Sequence, residues 1–186
     1  CDVTRASEVE ALAAKADELF GGSDLVVNNA GVAVSGPVGE ISLEDWRWIV
    51  DVNLWGVVHG CHAFVPRFKK QGSGHVLNVA SAAGLLSAKG MAPYCMTKAG
   101  VVALSESLYL ELATTGVGVT VLCPTFFPTN IIASGRGPSD PRLKAAGEAA
   151  MRRAKITAQD VARIALDASK QKQLYALAGD DGRWLW

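Results

Sequence analysis

The sequence predicts an α/β protein built on a parallel β-sheet with helices on both faces. Strand-like and helix-like segments alternate along the 186-residue chain. The predicted strands are short apolar runs without polar alternation, which is typical of parallel strands covered on two sides. The connections between them are too long for hairpins and suit right-handed crossovers. We therefore expect one core and a single domain over residues 1–186.

Apolar spacing predicts three elements before residue 70. They are a helix from Ser7 to Phe20, a short strand over Asp24–Val27 that ends at Asn28, and a long helix from Ser42 to Phe68. Ser42 is the predicted N-cap of the long helix, because Asp45 stands three residues later. That helix is apolar nearly all round, which predicts packing on the sheet and on a second subunit.

The rest of the chain continues the alternation. The predicted elements are a strand over Gly74–Ala80, a helix from Tyr94 to Thr115, a strand over Gly118–Cys123, helices over Arg142–Ala154 and Thr157–Ser169, and a strand over Leu174–Ala178. Ligands of such sheets bind beyond the carboxyl ends of the strands. Asn28, Ser81 and Pro124 all stand at predicted strand ends, so we expect the functional site there.

Composition narrows the classes of partner. Lysine plus arginine equals aspartate plus glutamate, so the net charge is zero, and 49% of residues are hydrophobic. This balance gives no electrostatic reason to expect nucleic acid or an anionic membrane surface as a partner. Asp51 and Asn53 interrupt the longest apolar run, which leaves no predicted membrane span. The four cysteines form no C-x-x-C pair, as expected of reduced thiols in a cytoplasmic protein.

The stretch from Ser81 to Lys98 carries the candidate chemistry. Pro93 suits a helix start, and Tyr94 and Lys98 stand four residues apart on one face of that helix. A free phenol titrates near pH ~10, and a neighbouring ammonium favours the phenolate. We expect Lys98 to lower the pKa of Tyr94, so that the phenol exchanges a proton with a substrate oxygen that Ser81 holds by a hydrogen bond.

Several motifs in order resemble those of the short-chain dehydrogenase/reductase family, nicotinamide-dependent enzymes with a Rossmann-like sheet. Asn28-Asn29-Ala30-Gly31 resembles the family's Asn-Asn-Ala-Gly signature, and Asn53 is placed like its catalytic asparagine. Ser81 precedes Tyr94 by 13 positions, and Lys98 completes the set. Asp2-Val3 and the loop from Pro124 to Thr129 match two cofactor-contacting segments of the family.

The resemblance implies a catalytic set and a cofactor set. The implied catalytic residues are Asn53, Ser81, Tyr94 and Lys98, with Asn53 fixing a water that links Lys98 to solvent. The implied NAD or NADP contacts are Asp2, Val3, Asn29, Ala30, Gly31, Tyr94, Lys98, Pro124 and Thr129. Apolar residues near the expected crevice suggest a hydrophobic alcohol or ketone as substrate, with Ser81, Leu85, Met91 and Phe126 as its contacts, flanked by Leu86 and Phe127.

Two departures from the family pattern stand out. Thr125 follows Pro124 where the family usually has glycine, which predicts a different backbone turn near the nicotinamide. The family's G-x-x-x-G-x-G loop and its first βαβ unit are missing, so we expect a fragment, the C-terminal two-thirds of the fold. The strand ending at Asn28 is then expected to present an apolar edge. We predict that this polypeptide alone binds cofactor weakly and tends to aggregate.

Other interpretations stay open at this level. A sugar-nucleotide epimerase or dehydratase also uses Tyr-x-x-x-Lys, although such enzymes usually have a larger C-terminal domain. A non-catalytic or dimer-forming module with the same fold is the second alternative. His59 and His62 stand three residues apart without an apparent third ligand, so we expect packing roles and no metal. We also expect a homo-oligomer through the long helices, residues 42–68 and 94–115.

Overall fold

The computed structural model describes residues 1–138 and 140–179, and in this part of the chain four parallel strands form one sheet in the order β1-β2-β3-β4. The strands are β1 (Leu25–Asn28), β2 (Gly74–Val79), β3 (Val117–Pro124) and β4 (Tyr175–Ala178). The helices are α1 (Ala6–Phe20), α2 (Leu43–Val50), α3 (Gly56–Gln71), α4 (Ala92–Leu112), α5 (Pro141–Arg153) and α6 (Ala158–Lys170). The predicted α/β class and the parallel Rossmann-like sheet are confirmed.

Helices cover both faces of the sheet, and alternate strand residues divide between two cores, one on each face, instead of the one core expected from the sequence. Val76 of β2 is fully buried in the larger core, which α1, α3 and α4 complete. The next residue, Leu77, is buried in a second core against α6. Successive side chains of a strand point to opposite faces, so an unbroken apolar run is what a doubly covered strand requires.

The predicted long helix is one continuous rod with an irregular turn in the middle. Ser42 caps it as expected, since its side chain accepts a hydrogen bond from Asp45 N at 3.0 Å. Between α2 and α3, residues Asp51–Trp55 widen into a π-turn, and Gly56 N donates to Asp51 O five residues back. The sequence prediction of a regular helix here is therefore wrong in this turn, which holds Asn53. Such π-turns are frequent at functional sites.

Strand β1 has one neighbour, β2, in the described part of the chain, and its other edge is open. Leu25 and Val27 of this strand are 36% and 46% exposed. A groove of about 340 Å³ runs along the open edge beside α1 and α3. The predicted apolar edge is confirmed. No helix in the described ranges combines the length and apolar character that a bilayer crossing requires.

The cysteines are free thiols. Cys61, Cys95 and Cys123 are buried, and Cys1 is exposed. Burial raises the pKa of Cys61 to about 11 and that of Cys123 to about 12. Because the thiolate is the reactive form, these two side chains behave as inert apolar groups.

Candidate active site

The C-terminal end of β2 and the first turns of α4 bring Ser81, Tyr94 and Lys98 to one place. Lys98 is only 3% exposed, and its Nζ donates a hydrogen bond to Val79 O, at the end of β2, over 2.8 Å. The same Nζ lies 5.8 Å from the centroid of the Tyr94 ring. Pro93 stands in the first turn of α4, where its missing N–H costs nothing. The predicted pairing of Tyr94 and Lys98 on one helical face is confirmed.

The electrostatics of the pair differ from the prediction. Burial raises the pKa of the Tyr94 phenol, and a hydrogen bond with Ser81 opposes part of that rise. The expected lowering by Lys98 is not found, because loss of water around the buried phenol is the dominant effect. Burial also lowers the pKa of Lys98, from 10.5 to about 8. Both groups are thus held in a poorly solvated setting that disfavours their charged forms.

A short turn holds Ser81 beside α4. Ser81 has extended backbone, and its Oγ accepts a hydrogen bond from Ala83 N at 3.1 Å. The turn that follows, Ala82–Gly84, packs directly on α4, and a Cβ on Gly84 would lie 2.7 Å from Lys98 O. A side chain at this position would push the turn away from α4. Glycine therefore permits the close approach that keeps Ser81 next to Tyr94.

Asn53 lies in the π-turn and is fully buried. Its Oδ1 accepts from Val32 N at 2.8 Å, and its Nδ2 donates to Val32 O at 2.9 Å and to Thr97 Oγ1 at 3.3 Å. The side chain thus clamps the segment that follows β1. A Cβ on Gly31 would lie 3.4 Å from Lys98 Nζ and 3.6 Å from Asn53 Oδ1, so these three residues adjoin one another. The expected water between Asn53 and Lys98 stays a prediction.

A buried amide and hydroxyl chain that the sequence reasoning missed lies beneath the site. Asn28 Nδ2 donates to Asn78 Oδ1 at 2.8 Å, and Asn78 Nδ2 donates to Ser105 Oγ at 2.9 Å. Ser105 Oγ in turn donates to Val101 O. The chain joins β1 and β2 to α4. Its signal in the sequence is Asn78, a polar residue between the apolar Leu77 and Val79 of β2.

Five of the residues predicted to contact the cofactor lie after β1 or before α1. Asn29, Ala30 and Gly31 are exposed directly after β1. Asp2 is exposed and accepts hydrogen bonds from the backbone and side chain of Thr4. Val3 packs against α3, where a Cβ on Gly56 would lie 2.9 Å from Val3 Cγ2.

The two histidines of α3 have different surroundings. His59 Nδ1 is hydrogen-bonded to Val3 O at 2.9 Å, which is the packing role expected of it. His62 is exposed. The described residues hold no cluster of three potential metal ligands.

The segment after β3 begins with contacts to β4, and the predicted difference in its turn from the family pattern stays a prediction. Pro124 is buried and pairs with Ala178 of β4. Thr125 N donates to Ala178 O at 2.8 Å. The Thr125 side chain fills the space beside Gly179, where a Cβ would collide with Thr125 Oγ1 and where φ is +124°. Gly179, which directly follows β4, therefore leaves room for the Thr125 side chain. Thr129 is exposed, four residues further along.

The predicted apolar substrate contacts divide into two groups. Phe126 and Leu86 are 50% and 53% exposed, so their side chains are available to a ligand. Leu85 packs against the larger core and Phe127 against the second core. Met91 is partly buried at the N-terminus of α4. Leu85 and Phe127 therefore serve mainly as packing residues in this structure.

Comparison with known sequences gives consistent matches. The sequence profile of the family described as short chain dehydrogenase matches residues 1–137. Two Staphylococcus aureus proteins described as uncharacterized oxidoreductases are 35% and 36% identical to the chain over 170 residues. These alignments cover 91% of the chain and 68% of each relative.

Comparison with solved structures agrees with the sequence matches. A short-chain dehydrogenase/reductase from Burkholderia phymatum, determined in complex with NAD, matches with a TM-score of 0.87 and 38% identity. That match covers 95% of the chain and 68% of the other protein. A short-chain dehydrogenase from Streptomyces avermitilis matches over 100% of the chain and 71% of its own length, with a TM-score of 0.83 and 27% identity.

Proposed function

Because the chain belongs to the short-chain dehydrogenase/reductase family of oxidoreductases, we propose that it interconverts a secondary alcohol and a ketone with NAD or NADP. Tyr94 is the general acid and base in this proposal. The observation that carries it is the buried Lys98 ammonium beside the Tyr94 ring, at the carboxyl end of β2, where Ser81 also stands. Ligands of open parallel sheets bind at this end.

The residues present fit a nicotinamide cofactor. An ammonium has three N–H donors, and within the described residues Lys98 Nζ donates to Val79 O. Gly31 leaves the space next to Nζ free of a side chain. Lys98 would therefore have donors to offer the ribose hydroxyls of the cofactor. Asp2, Val3, Asn29, Ala30, Pro124 and Thr129 are the further proposed contacts of the cofactor.

The protein's own part of the reaction is proton transfer. A nicotinamide cofactor supplies or accepts the hydride. In ketone reduction the Tyr94 O–H donates its proton to the substrate oxygen, while the Ser81 hydroxyl holds that oxygen in place. In alcohol oxidation the proton moves back. The raised pKa of Tyr94 keeps the phenol protonated until transfer. In this proposal the Lys98 ammonium, 5.8 Å from the centroid of the Tyr94 ring, favours the phenolate that transfer creates.

The relatives favour this function over its alternatives. Those reported above are described as oxidoreductases or short-chain dehydrogenases, which supports a dehydrogenase over an epimerase or dehydratase. Ser81, Tyr94 and Lys98 lie together, which supports a catalytic protein over a purely structural module. The exposed rings and chains of Phe126 and Leu86 support a hydrophobic substrate.

We also propose a homo-oligomer through the long helices, residues 42–68 and 94–115. The support is a set of large apolar side chains left exposed on these helices. They include Trp55 at 51%, Met96 at 48% and Leu110 at 75% exposed. Large apolar side chains left exposed on a helix are candidates for protein–protein contacts.

The proposed function is tested by a screen of the purified full-length protein against NADH and NADPH with acetophenone, cyclohexanone and 2-octanone, and against NAD and NADP with the corresponding alcohols. We expect ketone-dependent oxidation of one reduced cofactor, followed by absorbance. Ser81→Ala removes the hydroxyl and should lower turnover by about 10²-fold or more. Ser87→Ala, at an exposed position of the loop before α4, is the matched control and should leave turnover unchanged. Equal turnover in the Ser81→Ala protein would contradict the proposal.

A further inference from the structure

The segment after β3 returns to the chain that follows β1 and is fastened there by Arg136. Ser35 N donates to Arg136 O at 3.0 Å, and Arg136 N donates to Ala33 O at 3.0 Å. The two stretches thus form an isolated parallel β-bridge outside the sheet. Gly137 completes the approach, because its φ is +97° and a Cβ there would collide with Ser35 O. The backbone is therefore shaped to bring these two stretches together.

The Arg136 side chain continues the contact onto α2. Its guanidinium carbon lies 3.9 Å from the centroid of a Trp48 ring, a stacked cation–π arrangement. Its Nη1 lies 3.8 Å from Asp45 Oδ1. The Arg136 side chain is 47% exposed and that of Asp45 is 20% exposed. Two independent attractions thus join one arginine to two residues of the same helix.

The fastened segment forms part of the proposed site. Phe126 and Thr129, the proposed substrate and cofactor contacts, lie on the segment between β3 and Arg136. Trp48 packs in the same small apolar cluster as Tyr94. Gly36 N donates to Gly90 O at 2.8 Å, which links the chain after β1 to the loop before Tyr94. Holding Arg136 in place therefore holds the segment toward Tyr94.

We propose that Arg136 is a positioning residue that clamps residues 125–138 onto α2 and so keeps Phe126 and Thr129 in place for ligand binding. The clamp is the stack on Trp48 together with the ion pair to Asp45. The kinetic consequence rests on the proposed function, whereas the docking of the segment does not. Arginine suits this task better than lysine, since its planar group both stacks on a ring and pairs with a carboxylate.

Hydrogen exchange of backbone amides in the purified protein tests the clamp without any ligand. Partly exposed cation–π and ion-pair contacts each change an equilibrium by about 2- to 5-fold. Arg136→Ala should therefore speed exchange of the amides at Ser35 and at position 136 by about 3- to 30-fold. Arg136→Lys should show a smaller increase, and Val76 in β2 should exchange at the parent rate.

Arg142→Ala is the matched control, since it removes an exposed arginine at the start of α5. It should leave exchange at Ser35 within about 2-fold of the parent rate. Asp45→Asn removes the ion pair alone and should give about a 2- to 3-fold increase. An Arg136→Ala protein whose amides at Ser35 and position 136 exchange at the parent rate would overturn the clamp.

Steady-state kinetics with the ketone that the screen identifies test the positioning role. Arg136→Ala should raise KM by about 3- to 30-fold with kcat within about 3-fold, because opening of the segment reduces the binding-competent fraction. Arg136→Lys should recover part of the loss. Faster exchange combined with an unchanged KM would overturn the positioning role. If the parent turns over no ketone, the proposed function fails, and the exchange result alone supports or overturns the clamp.

Discussion

Lys98 carries its charge where water solvates it poorly. A decrease in pKa from 10.5 to about 8 corresponds to a cost of ~3 kcal/mol for keeping the ammonium protonated at neutral pH. The residue is 3% exposed and has a hydrogen bond to Val79 O. A group retained at such a cost to stability is expected to serve the chemistry of the site.

Replacing Lys98 should raise the stability of the fold and abolish turnover. Lys98→Met removes the charge penalty of ~3 kcal/mol and loses the hydrogen bond to Val79 O, at a cost of ~1–2 kcal/mol. The net expectation at pH 7 is a gain of ~1–2 kcal/mol in the free energy of unfolding, with loss of turnover. Urea unfolding of the parent and the variant measures the difference. Lys144→Met on exposed α5 is the control and should change stability little.

The difference in the free energy of unfolding between the parent and Lys98→Met should change with pH in one direction. Between pH 8 and 10.5 the unfolded chain binds the lysine proton and the folded chain releases it. Stability of the parent therefore rises with pH across this window relative to Lys98→Met, so the gap between them closes. A gap that widens from pH 7 to pH ~9.5 would contradict the buried-charge interpretation.

At the scale of elements, the π-turn between α2 and α3 decides where Asn53 points. Its amide satisfies both backbone groups of Val32, 21 residues earlier in the chain. Asn53→Ala leaves the N–H and C=O of the partly buried Val32 without the side-chain partner, and should lower the free energy of unfolding by ~1–3 kcal/mol. Urea unfolding measures this. Asn130→Ala, at an exposed position of the segment after β3, should change stability by less than ~0.5 kcal/mol.

His75 of β2 contacts Thr120 of β3, and the fold lowers the pKa of this histidine. Thr120 Oγ1 donates to Gln173 O at 2.7 Å, so the contact of 2.9 Å between His75 Nε2 and Thr120 Oγ1 requires an N–H on Nε2. Nδ1 faces the backbone at Gly118, where a Cβ would collide with it. Burial, together with the charge of Lys172, lowers the pKa of His75 from 6.5. The buried imidazole is therefore neutral at neutral pH.

This arrangement predicts acid sensitivity of the fold. Below pH 6.5 the unfolded chain takes up the His75 proton more readily than the folded chain does. Stability should then fall with decreasing pH, by up to ~1.4 kcal/mol per pH unit from this group. His75→Gln keeps an N–H donor and should flatten this part of the profile measured by thermal unfolding. A His75→Gln protein whose stability falls below pH 6.5 as steeply as that of the parent would refute the assignment.

Local sequence patterns predicted most helix and strand boundaries to within a few residues. They did not predict the contacts between residues that are distant in the sequence. Apolar runs and a cap such as Ser42 can be predicted from neighbouring residues, and the Ser42 cap is present. The π-turn has the same apolar periodicity as a regular helix, so the local sequence does not predict it. The contact of Arg136 with Trp48 depends on the path of two loops, which periodicity does not encode.

The same division holds for the candidate site. The four-residue spacing of Tyr94 and Lys98 made their proximity predictable. The sign of the Tyr94 pKa shift was not, because it depends on how much water the surrounding chain excludes. Resemblance to a family supplied roles for single residues, whereas Asn78 and Ser105 beneath the site became visible only in three dimensions.

At the scale of the whole molecule, two of the apolar surfaces exposed by the described residues are candidates for association. One is the open edge of β1, where the exposure of Leu25 and Val27 supports the expected tendency to aggregate. The other lies on the long helices, where Leu110 is the most exposed large apolar residue of α4. The edge of β1 would associate through backbone hydrogen bonds, whereas the surface on the long helices would associate through side chains. A side-chain substitution on the helices therefore tests the second surface alone.

The oligomer proposal is tested on the second surface. Leu110→Glu places a charge in the proposed helix contact and should shift the protein toward monomer, because burying an unpaired charge is costly. Sedimentation velocity over a range of concentrations measures the shift. Leu166→Glu on α6, where the leucine is 42% exposed, is the matched control. A Leu110→Glu protein that associates as strongly as the control would exclude this face as the interface.

The central claim is that the Tyr94 hydroxyl transfers the proton while Ser81 and Lys98 support it. Its most direct test is Tyr94→Phe, with turnover of the ketone found in the screen and cofactor binding measured on the same preparation. Removal of a general acid is expected to lower kcat by about 10²- to 10⁴-fold, with the Kd of the cofactor within about 3-fold. A Tyr94→Phe protein that retains turnover within about 10-fold of the parent would contradict the account.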